Sequence, residues 1–230
     1  MASSHKHLGS GVRSAAVAAA LCGTQASFAA ACEPPKQVAE VSPQQVREFF
    51  AGKRWKVVTF FGYSGAGYEN PAAMLEQANL TLQKFDPQHT IVNAGASEQG
   101  IGAVYKLAKS KGFRTAGVVS TQARDQAVAL SPCVDYVFYV KDSSWGGYVP
   151  GTTTLSPTSE AIVTSSDVLV AIGGGDVARD ELLAARRLGK QVTFIPADMN
   201  HRAALEKAAS KGQPAPTDFR GSAHPALSGS

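Results

Sequence analysis

Asp167-Val168-Leu169-Val170-Ala171-Ile172-Gly173-Gly174-Gly175 runs straight into a helical pattern over residues 177–188. Six mostly apolar residues between polar flanks read as a strand buried on both faces. Glycine lacks a Cβ, so the turn that follows can approach a ligand closely and adopt positive φ. A helix that begins just beyond such a turn points its unpaired N–H groups at whatever sits there. Strand, glycine turn and helix together make a cradle for an anion. The chain carries the same order twice earlier. A strand over residues 55–61 ends in Gly62-Tyr63-Ser64-Gly65-Ala66-Gly67 before a helix over 71–85. A short strand over 89–93 leads through Gly95-Ala96-Ser97-Glu98-Gln99-Gly100-Ile101-Gly102 into a helix that ends near Lys111.

Further strands are expected over residues 115–120, 136–140 and 191–196, with helices over 124–130, 157–165 and 200–211. Ser42 and Pro43 suit the N-cap and first position of another short helix. Strands alternating with helices imply an α/β fold, a doubly wound, mostly parallel sheet with helices on both faces. Ligands in such sheets bind beyond the carboxyl ends of the strands, where strand order reverses. All three glycine turns lie at such ends. The expected organisation is a leader over residues 1–31, a Pro-rich linker over 32–41, the domain over 42–211 and a disordered tail over 212–230. Residues 142–156 read as a long loop.

A chain of 230 residues with 44% apolar content suits one domain with tails. The formal charge of +4 is modest and its Lys and Arg residues are scattered, so no nucleic-acid partner is expected. No acidic residue precedes Glu33. Lys6 and Arg13, a short apolar run at 15–22 and small residues at 29–31 follow the order of a secretory signal peptide. The protein is therefore expected to be periplasmic or secreted. An organelle transit peptide, or an untargeted leader on a cytoplasmic protein, are the alternatives. The run is too short to span a bilayer, and no later stretch is long enough. Cys32 and Cys133 would survive cleavage as one potential disulfide, and Cys32 is also a candidate lipidation site. No CxxC occurs and the histidines are isolated, so neither a metal site nor a resident cofactor is expected.

Candidate binding residues are Gly62, Ser64, Gly65 and Gly67 in the first turn, and Gly95, Ser97, Gly100 and Gly102 in the second. The third offers Gly173, Gly174, Gly175 and Asp176. Each has an ordinary reading beside the functional one: a tight turn, close helix–sheet packing, or for Asp176 a helix cap. Asp180 and Glu181 lie one helical turn beyond. Either could hold ribose hydroxyls or assist cleavage of an N-glycosidic bond, or simply complement the helix N-terminus. Arg124 and Arg179 are candidate phosphate partners. Trp145 and Tyr148 would stack on a ring or cover the core, and covering the core is the preferred reading.

Taken together, these turns, with Asn93-Ala94-Gly95-Ala96 running to Gly100-Ile101-Gly102-Ala103-Val104, resemble the Lonely Guy/DprA-like (SLOG) superfamily of Rossmann-type proteins. Its best-known enzymes were long labelled lysine decarboxylases. The resemblance covers roughly residues 56–197 and points to a divergent member. In the phosphoribohydrolases of that family the third turn reads Pro-Gly-Gly-x-Gly-Thr-x-x-Glu. Here Ile172 stands at the Pro, Gly173 and Gly174 match, Asp176 and Val177 replace the Gly-Thr, and Asp180 stands at the Glu. Residues 142–166 contain no Arg. The resemblance implies a nucleotide-like small-molecule partner, bound without turnover. A phosphoribohydrolase with Asp180 or Glu181 as catalytic acid, and an exported structural module without nucleotide, are the alternatives. A homodimer is among the expected assemblies.

Overall fold

Sheet order explains where this chain can bind anything. The structure, a computed structural model, describes residues 1–3 and 32–228, so nearly all of the expected leader lies outside the described residues. Seven strands form one all-parallel, Rossmann-like sheet: β1 (Gln37–Val41), β2 (Lys56–Gly62), β3 (Thr90–Asn93), β4 (Arg114–Ser120), β5 (Tyr136–Val140), β6 (Val168–Ile172) and β7 (Gln191–Ile195). Their spatial order is β1-β5-β4-β3-β2-β6-β7. From β2 the chain steps outward through β3, β4 and β5, then returns to place β6 on the other side of β2. Order therefore reverses between β2 and β6, in register from Val58 opposite Val168 to Gly62 opposite Ile172.

The helices are α1 (Pro43–Lys53), α2 (Pro71–Leu82), α3 (Val104–Ser110), α4 (Gln122–Asp125), α5 (Pro157–Ser165), α6 (Asp176–Arg187), α7 (His201–Ser210) and α8 (Ala223–Leu227). Two apolar clusters cover the sheet. One packs Met74, Leu82, Val104 and Tyr105 against Val58, Val92 and Val170. The other packs Val46, Phe50, Ile162 and Leu182 against Val57, Phe138 and Leu169. Ser42 caps α1 as its sequence suggests, exchanging bonds with Gln45 in a capping box. No described helix is long and apolar enough to cross a membrane.

Three stretches depart from expectation. The Pro-rich segment contains β1, an edge strand bonded along its length to β5. It has only one neighbour and is half exposed, so it needs no continuous apolar run. The tail contains α8, whose Ala223 and Leu227 are buried in the core, while Phe219 stacks on His201 with ring centroids 4.0 Å apart. The helix expected over 124–130 stops after Asp125. Ala127 turns left-handed at φ 51°, and Val128 and Ala127 donate back to the Ala123 and Arg124 carbonyls, a helix-ending Schellman motif without glycine. The freed chain runs alongside the second glycine turn instead. Glu98 N–H donates to Ala129, and Ser97 bridges Leu130.

Candidate functional site

The first turn leaves β2 at Gly62. A Cβ there would overlap the Tyr68 hydroxyl, which accepts from the Tyr63 N–H (3.2 Å) and donates to the Ile172 carbonyl (2.7 Å) at the end of β6. One buried phenol thus ties the first turn to the third. Beyond it, the N–H groups of Ser64, Gly65 and Ala66 meet no protein acceptor among the described residues. The second turn is built on two left-handed residues, Gly95 and Ala96, and on a second phenol. Tyr105 is fully buried. Its hydroxyl accepts from the Ala94 and Ala96 N–H groups (2.8 and 3.0 Å) and donates to Ala116 (2.7 Å). Replacing Tyr105 with Phe keeps the ring but strands two buried N–H groups and a carbonyl. We expect a loss of about 2–3 kcal/mol in urea unfolding, with the damage centred on residues 94–96 in amide exchange.

These two turns meet. Ile101 N–H donates to the Tyr63 carbonyl (2.8 Å), so the second turn lies against the first. Between them opens a cavity of about 600 Å³, at the carboxyl ends of β2, β3 and β4 and beside the N-termini of α5 and α6. It stands next to the reversal of strand order. Gly62, Ser64, Gly65, Gly95, Ser97 and Glu181 line it; Gly67, Gly100 and Gly102 shape the turns behind that lining. Apolar surface predominates, with Phe60, Phe61, Ile101, Leu130, Trp145 and Ile162 among the walls.

The third turn does not line the cavity. Gly173 and Gly174 are buried beneath the C-terminal segment, whose Ala223 N–H donates to the Gly174 carbonyl (3.1 Å), while Gly175 is part-buried and Asp176 is exposed. The Tyr63 hydroxyl donates to Ala197 beside it (3.0 Å). Asp176 is not a cap. Gly175 holds that position, and the Asp176 carboxylate accepts from Arg179 (2.9 Å) and Ser222 (2.6 Å). Helix α6 reaches the cavity further along, through Val177, Ala178 and Glu181.

Asp180 and Glu181 are adjacent yet point to different neighbours. Asp180 accepts from the Arg179 guanidinium (2.9 and 3.0 Å) and from the Tyr148 N–H (3.0 Å), and is absent from the cavity wall. Glu181 is 3% exposed and borders the cavity. Its Oε1 accepts from the Ser159 hydroxyl (2.6 Å), which itself accepts from the Gly147 N–H (2.7 Å). Burial drives its pKa up to about 8, the Ser159 bond opposes that, and the neighbouring Asp180 charge adds to it. At the head of α5, Asp142 takes the Thr158 N–H (2.9 Å) together with the Ser144 N–H and hydroxyl (both 2.8 Å). Burial raises the Asp142 pKa, but these bonds outweigh it and hold the group below the ordinary carboxylate range. Thr158 lines the cavity, is 3% exposed, and its hydroxyl finds no partner among the described residues.

Neither candidate arginine reaches the cavity. Arg179 is paired with Asp176 and Asp180, and Arg124 pairs with Glu40 (2.9 Å) over the Tyr139 ring. Glu181 is the only ionisable side chain among the described residues lining the cavity. Among the described residues no cluster of three or more His, Cys, Asp or Glu could hold a metal. Trp145 does not cover the core: it is 47% exposed and forms part of the cavity wall. Tyr148 stands beside Arg187, which donates to its hydroxyl and lies over its ring. Sequence reasoning missed Thr158 and residues 128–130. The one signal for this side of the site was the length of the 142–156 loop at a strand carboxyl end, where such loops carry function.

No protein-family model and no curated protein matches the chain. Among solved structures it is similar to a molybdenum cofactor (Moco) carrier protein from Chlamydomonas reinhardtii, at 19% identity and a TM-score of 0.44, over 69% of this chain and 86% of that one. It is similar to the molybdenum cofactor binding protein of Rippkaea orientalis, at 16% identity and a TM-score of 0.47, with the same coverage. It is also similar to DNA processing protein A (DprA) of Streptococcus pneumoniae, at 13% identity and a TM-score of 0.43, over 73% of this chain and 60% of that one.

Proposed function

We propose that this chain binds a nucleotide or nucleotide-derived small molecule in the cavity at the β2–β6 reversal, without turning it over. The observation that carries this reading is convergence: two glycine turns and the starts of two helices, far apart in sequence, frame one cavity of about 600 Å³. That is the size and place of a small-molecule site in an α/β sheet. The N–H groups of Ser64, Gly65 and Ala66 suit an anionic group at its mouth, and the apolar walls with Trp145 suit a flat ring. The absence of any cation from the described lining supports binding over phosphoryl or glycosyl chemistry on a charged ligand.

Thermal unfolding with AMP, ADP-ribose and NAD tests the reading. A ligand present at 100 times its Kd stabilises by about 2.7 kcal/mol, an upward shift of about 5–10 °C for a chain of this size. A flat response from the folded protein would favour a structural or interaction module instead. The same mixtures are to be checked for free base by chromatography, and none is expected. Base release that disappears in Glu181→Ala would replace binding with a phosphoribohydrolase reading. Glu181, not Asp180, would then be the acid, because only Glu181 borders the cavity.

Export of the chain belongs to the same proposal. The structure pairs Cys32 with Cys133, a bond that persists in oxidising compartments. It uses the sulfur that lipidation of Cys32 would need.

A further inference from the structure

Two buried polar groups at the inner corner of the cavity have unspent hydrogen-bonding capacity. Among the described residues the Thr158 hydroxyl has no partner at 3% exposure, where an unsatisfied polar group is costly. Glu181 is equally buried. One of its oxygens takes the Ser159 hydroxyl, and no described cation pairs with it. Both residues line the same cavity, one from α5 and one from α6. Gly146 and Gly147 bring the loop down onto this corner. Side chains there would press on Ser159 Oγ (2.8 Å) and Asp180 Oδ2 (3.0 Å), and both backbones are left-handed at φ 114° and 85°. The corner is therefore assembled from three separate segments.

We infer that Glu181 and Thr158 form the base-recognition corner of the site, hydrogen-bonding the heteroatom edge of an uncharged nucleobase whose ring lies among Phe60, Phe61, Ile101 and Trp145. This rests on the nucleotide reading above and adds which part of the nucleotide is recognised. With the Ser159 hydroxyl donated to Oε1, a protonated Glu181 presents an O–H donor to the cavity from Oε2, and Thr158 can donate or accept beside it. A base with a ring nitrogen or carbonyl next to an amino or imino group fits that pair. A phosphate does not fit there, because an anion beside Glu181 meets no cation.

The ionisable groups on the surrounding elements are few. Asp180 and Arg179 on α6 are paired with each other. Asp142 and Tyr148 lie on the loop, Glu160 on α5 pairs with Arg47 (3.1 Å), and α8 carries His224, which bonds Ser228 (2.7 Å). Of these, Asp180 acts on Glu181, and it favours the protonated form.

The test is calorimetric titration of the full chain with the four ribonucleosides and their 5′-monophosphates, at pH 6.5 and 9, in wild type, Glu181→Gln and Thr158→Val. A monophosphate is expected to bind more tightly than its nucleoside, because the first-turn N–H groups take the phosphate while the corner takes the base. Wild-type affinity should drop about tenfold between the two pH values as Glu181 loses its proton. Glu181→Gln should bind at both pH values as wild type does at pH 6.5, because an amide accepts from Ser159 and donates to the ligand. Thr158→Val should lose about tenfold.

Stability without ligand gives a second readout. The folded pKa lies above the unfolded value of about 4.3, so between the two the folded protein holds the extra proton and stability falls as pH rises. Glu181→Gln should remove that fall. A pH dependence unchanged in Glu181→Gln, or Thr158→Val binding as wild type does, would overturn the corner while leaving nucleotide binding intact. Binding of none of the eight probes would overturn the corner, and a flat response to ADP-ribose and NAD as well would overturn the nucleotide reading with it.

Discussion

Replacing Gly100 with Ala is expected to cost about 4 kcal/mol of stability and to abolish ligand binding with it. Gly100 is left-handed at φ 59°, and a Cβ built there would overlap the carbonyl oxygens of both Tyr63 and Ser64. Those are backbone atoms of the first turn. No side-chain rotation relieves the overlap, so the two turns would have to separate. The Ile101 to Tyr63 hydrogen bond that joins them (2.8 Å) would go as well. The left-handed backbone adds about 1–2 kcal/mol for a residue with a Cβ. Gly95 supplies the comparison. It too is left-handed, at φ 74°, but nothing lies within 4 Å of a Cβ there. Gly95→Ala should show the backbone term alone. Urea unfolding of the two variants separates the contributions. Equal losses would mean that the turns do not press on each other, and the cavity between them would lose its main support.

Gly100 also shows what a sequence can reveal here. A glycine at a helix start is legible as permissive backbone, and a packing role is its ordinary reading. That the packed object is another glycine turn 36 residues earlier is not legible, because sheet order decides it. Apart from the four-residue β3, the central strands declared themselves as largely apolar runs of five to seven residues between polar turns, and the Ser42 cap as a Ser-Pro pair. β1 did not, since an edge strand with one neighbour can carry Gln37 and Glu40 and still pair. The third turn was misjudged for a related reason. Gly173-Gly174-Gly175 is open backbone by composition, but the tail that occupies it lies about fifty residues later and looks like a disordered segment.

Asp180 and Glu181 show the limit most sharply. Adjacent helical residues differ by about 100° around the axis. Sequence places both near the site, while helix rotation alone decides which one borders the cavity. That rotation is fixed by Leu182 and Ala185 in the core and by the loop glycines that seat against Ser159 and Asp180. The motif position of Asp180 in the resembling family therefore does not carry over to its place in this fold. The loop-borne Trp145 was undervalued because an aromatic residue in a chain with a 44% apolar content is most simply explained by burial.

Reducing the Cys32–Cys133 bond is expected to have an effect of similar size by a different route. The bond spans a sequence separation of 101. Closing a loop of that length removes unfolded-state entropy equivalent to about 4.7 kcal/mol in the chain-entropy model. For a chain of this size the midpoint should fall by about 10 °C or more. Locally, the bond anchors the segment before β1 to the segment before β5, the only strand that β1 pairs with. Lys36 N–H donates to Asp135 just beyond it (2.7 Å), and Asp135 is itself held by Thr115 and Lys109. Those contacts keep β5 in place without the bond. β1 has fewer alternatives, so its amides should exchange first in the reduced protein. Cys32→Ser, Cys133→Ala and the double variant should all match the reduced wild type, since each removes the same link and the losses do not add. The intact mass of the native protein reads the bond as two missing hydrogens and reads the start of the chain at the same time. A bonded pair in a chain beginning close to Cys32 is the expected result. Three free thiols on a chain that begins at Met1 and so keeps Cys22 would overturn both the tether and export.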